Sequence, residues 1–150
     1  MGCACSRDST KIIINRRPLA NKQFILKIYL PEHIQPKVLF YNSEIDKEPI
    51  TDLMNSFLFT SAIDDDLDAN FISIYNKYTD SFDYYIQRIG GYEIENEEEP
   101  NKGKMWNCYI NKEKIDWTYV CNNNRVISMN DEVELRYEEG PKDKLQLTNC

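Results

Sequence analysis

The residues with the best-defined chemistry in this 150-residue chain stand at its start. In Met1-Gly2-Cys3-Ala4-Cys5-Ser6, removal of Met1 would expose Gly2, an uncharged residue follows, and Ser6 completes an N-myristoylation signal. One myristoyl chain gives only marginal, reversible membrane binding, so a stable anchor needs a second signal. Cys3 and Cys5 offer thiols for palmitoylation directly beside the first lipid. Arg7, Lys11, Arg16, Arg17 and Lys22 add attraction to an anionic leaflet, up to about 1 kcal/mol each. Both lipids are attached from the cytosol, so the expected location is the cytoplasmic face of a membrane, either the plasma membrane or a ciliary or flagellar one. A secretory signal would need an apolar core of about 7 to 15 residues. Ile12-Ile13-Ile14 is too short for that.

The remaining reactive residues are scattered. Besides Cys3, Cys5 and the terminal Cys150 there are only Cys108 and Cys121, too few for a disulfide scaffold. A structural zinc ion would need about four ligands, and His33 is the one histidine. No metal or cofactor is expected. A Cys–His nucleophile pair would require Cys108 or Cys121 to meet His33, and nothing in the spacing brings them together. Cys108 falls on an expected strand, where a small buried hydrophobe is its default role. No glycine-rich phosphate loop or metalloprotease signature is present. Asp64-Asp65-Asp66-Leu67-Asp68-Ala69-Asn70 starts like a calcium loop, but Ala69 and Tyr75 stand where Gly and Glu are needed.

Charge divides the chain. Through Lys22, five basic residues face Asp8 alone, a net of +4; the rest carries 13 basic and 24 acidic residues, a net of −11. A basic tail therefore precedes an acidic body, which would repel nucleic-acid phosphates. The Glu95–Glu99 run reads as a solvated loop first and a docking patch for a basic partner second. With 41% hydrophobic residues the chain can enclose one ordinary core, giving a lipidated tail and linker at 1–22, a domain at 23–139 and a C-terminal tail at 140–150. No apolar run approaches the ~20 residues that span a bilayer.

These sites need elements to position them. Residues 7–22 read as a linker with one short β segment. Phe24–Leu30 and Lys37–Tyr41 read as strands of a hairpin, the first apolar enough to be covered on both faces. Ile50, Leu53, Met54, Phe57 and Leu58 follow helical spacing after Pro49. Leu67, Phe71, Ile74, Tyr75 and Tyr78 repeat it, predicting a second, shorter helix. Strands are then expected over 82–89, 104–110, 115–120 and 132–137, with turns at Gly90-Gly91, Asn111–Lys114 and Asn122–Asn124. The order implies an α+β fold in which a mixed sheet wraps one main helix, as in β-grasp domains.

Three stretches sharpen that expectation: Tyr84–Tyr92, Trp106–Asn111, and Val126–Tyr137. Together they resemble the transcobalamin C-terminal-like β-grasp family, largely of unknown function, with its Ile-x-Gly turn, Trp-x-Tyr-x-Val-Asn-Gly hairpin and final Gly-Asp-x-Ile-x-x-x-Tyr strand. The resemblance spans about residues 24 to 138 and is most specific in the last third. Lys112 and Asn130 depart from it, standing where the family usually has Gly. It implies a β-grasp fold and, by analogy with the cobalamin carrier, a small-molecule pocket near Trp106 and Trp117.

Tyr75, Tyr78, Phe82, Tyr84, Tyr85 and Tyr92 are too many in succession for all to face inward, so an exposed aromatic patch is expected. Tyr84, Tyr85, Trp106 and Trp117 are the candidate ligand or partner surface. The leading expectation is a non-enzymatic, membrane-tethered module that presents a sheet edge or tyrosine-rich face to a protein partner. A small-molecule binder is the alternative, and an enzyme using Cys121 the third.

Overall fold

The computed structural model describes residues 11–15, 21–61, 67–115 and 125–140. Among the described residues the main sheet has six strands, in the order β1-β3-β2-β11-β8-β9. Its members are β1 (Lys11–Asn15), β2 (Lys22–Tyr29), β3 (Lys37–Ser43), β8 (Lys104–Ile110), β9 (Glu113–Ile115) and β11 (Glu132–Glu139). The expected hairpin is present, β2 running antiparallel to β3. At the centre, β2 and β11 lie side by side and parallel, Ile25 to Tyr29 against Glu132 to Arg136. Strand β1 pairs in parallel with β3, so five residues of the basic segment belong to the sheet.

Alternation decides what each face of this sheet does. In β2, Phe24, Leu26 and Ile28 are buried while Ile25, Lys27 and Tyr29 are half-buried, so one face meets the core and the other is partly covered. Leu39, Tyr41, Trp106, Cys108, Ile110, Val133 and Leu135 complete the core side. Against it packs the helix α1 (Ile50–Ser61), which buries Ile50, Leu53, Met54 and Phe57 at the spacing expected of it. Each such side chain contributes roughly 1.5–3 kcal/mol on burial. The helix begins directly after β4 (Lys47–Pro49), which pairs with β10 (Val126–Ser128). The carbonyl of Arg125 accepts the Ile50 amide at 2.7 Å, satisfying one of the donors that a helix start leaves open.

The second expected helix is not formed. Its residues make β5 (Ala69–Asn76), the first strand of a three-stranded sheet β5-β6-β7 with β6 (Ser81–Ile89) and β7 (Tyr92–Glu93). The helical set Phe71, Ile74 and Tyr75 overlaps a strand pattern through Ile72. Four of the five residues from 71 to 75 are β-branched or aromatic, types that lose rotamer freedom in a helix and pack well on a pleated sheet. A tight turn at Lys77–Asp80 lets β5 zip onto β6 along its whole length, and this pairing decides the outcome. The fold is therefore α+β, sheet-dominated, with one helix of this length and a single-turn 3₁₀ segment at Pro100–Lys102 among the described residues.

Candidate interaction surface

Register fixes which side chains share a face of the β5–β6 hairpin. Phe71, Ser73 and Tyr75 lie opposite Ile86, Tyr84 and Phe82. At the base of this face Ile86 is buried and Phe71 half-buried against the core; toward the tip the same face opens to solvent. Tyr75, Phe82 and Tyr84 are 53%, 52% and 49% exposed, and Tyr78 in the turn reaches 75%. Tyr75 and Phe82 meet edge to face at 5.6 Å, and Lys77 Nζ sits 5.4 Å from the centre of the Tyr78 ring.

The tip is held by its own side chains. Asn76 Oδ1 accepts the amides of Tyr78 and Thr79 at 2.9 and 3.4 Å, and its Nδ2 donates to the buried Asp83 at 3.0 Å. The Tyr75 hydroxyl donates to Asp80 Oδ1 at 2.6 Å, drawing in a residue whose backbone is left-handed at φ 53°. Thr79 and Ser81 hydroxyls lie 2.7 Å apart. A partner would therefore meet aromatic rings on a turn already ordered, at a low entropic cost of binding.

Tyr85, adjacent in sequence to Tyr84, points the other way into the core. Trp106 is wholly enclosed: its indole N–H donates to the Tyr92 carbonyl at 3.0 Å and its ring packs against Tyr137 at 5.4 Å. The structure thus brings Tyr84 to the surface with Tyr75, Tyr78 and Phe82, and places Tyr85 and Trp106 behind it in the core. Gly2, Cys3, Cys5, Arg7, Arg16, Arg17, Trp117 and Cys121 lie outside the described residues, as do Asp64, Asp65 and Asp66. Lys11 opens β1, and Lys22 is half-buried at the start of β2. His33 is exposed in the β2–β3 turn, and Cys108 is buried and forms no disulfide. Asp68, from the calcium-like segment, pairs with Arg88 at 3.1 Å. Among the described residues no three His, Cys, Asp or Glu side chains converge as metal ligands, and no helix is long and apolar enough to cross a membrane.

A second cluster, not anticipated from sequence, covers the outer face of the main sheet. Glu134 is buried there and accepts from the Tyr29 hydroxyl at 2.9 Å and from Lys112 Nζ at 3.0 Å, with Arg136 at 3.5 Å. The Arg136 guanidinium stacks over Tyr29 at 4.1 Å and lies 5.7 Å from the centre of the Tyr109 ring. Glu138 accepts from the Tyr109 hydroxyl and from Asn107 at 3.0 Å, and pairs with Lys114 at 3.4 Å. Burial alone would raise the Glu134 carboxyl; hydrogen bonds from Lys112 and Tyr29 and the charges of Arg136 and Lys112 outweigh it and hold the group below its ordinary value. Burial, then the bond to Glu138 and its charge, push the Tyr109 phenol up to about 12. Each cation of the cluster has a carboxylate within reach, so these groups bind the strands to one another. The signal in sequence was the alternation Glu134, Arg136, Glu138, which reads equally well as a solvated face.

An open recess of about 330 Å³ lies apart from Trp106, bounded by Ile25, Lys27 and the segment from Met129 to Val133. In comparisons with known proteins, the chain matches no family profile, no curated protein and no solved structure.

Proposed function

We propose that this chain is a membrane-tethered, non-enzymatic interaction module, anchored through acylated Gly2, Cys3 and Cys5 and built on a β-grasp domain that presents an aromatic hairpin to a protein partner. The observation that carries the partner surface is the set Tyr75, Tyr78, Phe82 and Tyr84, exposed together on a side-chain-stapled tip. Tyrosine suits such a surface because it offers large contact area with few rotatable bonds and a polar end. For the fold, support comes from the order β3-β2-β11-β8-β9 around a central parallel pair, with α1 between the opening hairpin and the later strands. The resemblance of the last third of the chain to the transcobalamin C-terminal-like family is the second ground for the β-grasp reading.

Anchoring is tested by imaging the full chain tagged at its C-terminus, as wild type, Gly2→Ala, and Cys3→Ser with Cys5→Ser. Wild type should be membrane-bound and both variants released, Gly2→Ala the more completely. Identical distribution of all three overturns the anchor. For the surface, wild type and a Phe82→Ser, Tyr84→Ser variant should be purified with their lipids intact. A stoichiometric partner that persists on the variant removes the hairpin from the interaction.

A further inference from the structure

We infer that the outer edge of β5 is a self-association surface whose occupant is β5 of a second copy of this chain. Among the described residues β5 pairs with β6 alone and ends its sheet. An edge strand offers a row of backbone donors and acceptors, and natural proteins usually guard it with charge, proline, brevity or a twist. The far edge of the main sheet is so guarded in its described part: β9 opens with the charged pair Glu113 and Lys114. Strand β5 has eight residues, Ala69–Asn76, with no charge and no proline. Its one irregularity, between Asn70 and Phe71, leaves the stretch from Phe71 to Asn76 regular.

The chemistry of this edge selects a like strand. The chain carries a net charge of −7, which opposes association of two copies in general. From Ala69 to Tyr92, however, Lys77 and Arg88 balance Asp80 and Asp83, so the hairpin is the neutral approach to an acidic body. An antiparallel two-fold pairing centred on Ser73 is self-complementary. It sets Ser73 against Ser73, so no bulk or charge meets its own copy at the axis. Phe71 of each copy then faces Tyr75 of the other, an aromatic cross-strand pair, and Ile72 faces Ile74 on the opposite side. The exposed Phe82–Tyr75 pair continues across the junction onto Phe71 and Ile86 of the second copy. Joining two hairpins also doubles the number of acyl chains per particle, which raises membrane avidity without any new lipid contact. The pairing itself needs no lipid, so its test stands apart from that of the anchor.

The experiment is sedimentation equilibrium of the full unacylated chain in reducing buffer, which removes cysteine cross-links. Wild type should approach twice the 17.7 kDa chain mass as concentration rises. Ser73→Lys places two ammonium groups at the axis and should remain at the single-chain mass, with its circular dichroism unchanged because Ser73 is exposed. Ser73→Ala should associate like wild type. A wild-type chain that stays at single-chain mass overturns the proposal. So does a Ser73→Lys chain that associates as strongly as wild type, since the contact would then lie elsewhere.

Discussion

Lys112 Nζ lies 3.0 Å from the carboxylate of Glu134, and the two differ sharply in surroundings: the lysine side chain is 64% exposed and the glutamate 1%. Lys112 reaches this position from the two-residue turn between β8 and β9, where both Asn111 and Lys112 are left-handed, at φ 52° and 70°. Left-handed backbone costs a residue with a Cβ roughly 1–2 kcal/mol, and glycine would be the ordinary choice in a turn of this kind. The ammonium compensates for that strain, because a carboxylate removed from water is expensive unless paired.

Two substitutions separate the strain from the charge. Lys112→Met keeps the left-handed residue and removes the ammonium, and should lower the urea unfolding midpoint, because the buried Glu134 carboxylate loses one of its partners. Lys112→Gly also loses the pair but relieves the backbone, and should be more stable than Lys112→Met by about 1 kcal/mol. Equal stability of Lys112→Met and wild type would show that Tyr29 and Arg136 suffice for Glu134.

The same site sets an acid limit. A carboxyl held below its ordinary value in the folded state contributes stability that is fully present above its unfolded value, here 4.5, and lost as pH falls through the folded value. Wild type should therefore lose stability on acidification below about pH 4.5. Glu134→Gln should start lower and show a shallower decline over that window. Parallel curves for the two proteins, followed by urea midpoints at successive pH values, would assign the acid sensitivity to other carboxyls.

Asn111 joins two turns that are distant in sequence. Its Nδ2 donates to Asp131 Oδ1 and its Oδ1 accepts the Glu132 amide, both at 2.9 Å, while its own amide donates to the Glu132 carbonyl at 2.8 Å. Asn111→Ala loses both side-chain bonds and strains a left-handed position, so about 2–4 kcal/mol is expected. Asn111→Gly loses the bonds alone and should cost about 1–2 kcal/mol less than Ala. Thermal unfolding of the pair measures the difference directly.

Sequence reasoning reached the strands whose apolar residues alternate and the one helix with a clean apolar stripe, because those patterns reflect burial against a single neighbour. Lys104–Ile110 was legible to its ends, and Asn111 was legible as a turn residue of the kind that tolerates positive φ. Asn130, which stands where the resembled family usually has Gly, lies in a turn but is not among the positive-φ residues. The strand at Ala69–Asn76 was hidden because its identity depends on β6, a partner beyond a turn. Spacing within the segment fits both periods. Of the candidate surface, the abundance of aromatics was visible but not their sorting, since one position along β6 separates an exposed Tyr84 from a buried Tyr85. Glu134 was hidden for a related reason: of the groups that pair with it, only Arg136 lies on its own strand, while Tyr29 and Lys112 reach it from distant parts of the chain.

That sorting on β6 gives the sharpest contrast between neighbouring positions. Tyr85 is buried on the core side, and removing a large aromatic side chain from such a site costs roughly 3–5 kcal/mol through lost transfer energy and the cavity left behind. Tyr84 is half exposed and Tyr78 projects from the turn, where substitutions usually change stability by about 0.5 kcal/mol or less. Tyr85→Ser should therefore lower the unfolding midpoint strongly, while Tyr78→Ser and Tyr84→Ser leave it nearly unchanged. If the aromatic tip serves a partner, the two mild variants should be the ones that weaken its capture, since they keep the fold and remove contact area. A loss of capture seen only in Tyr85→Ser would mean that the partner reads the integrity of the domain and not its hairpin tip.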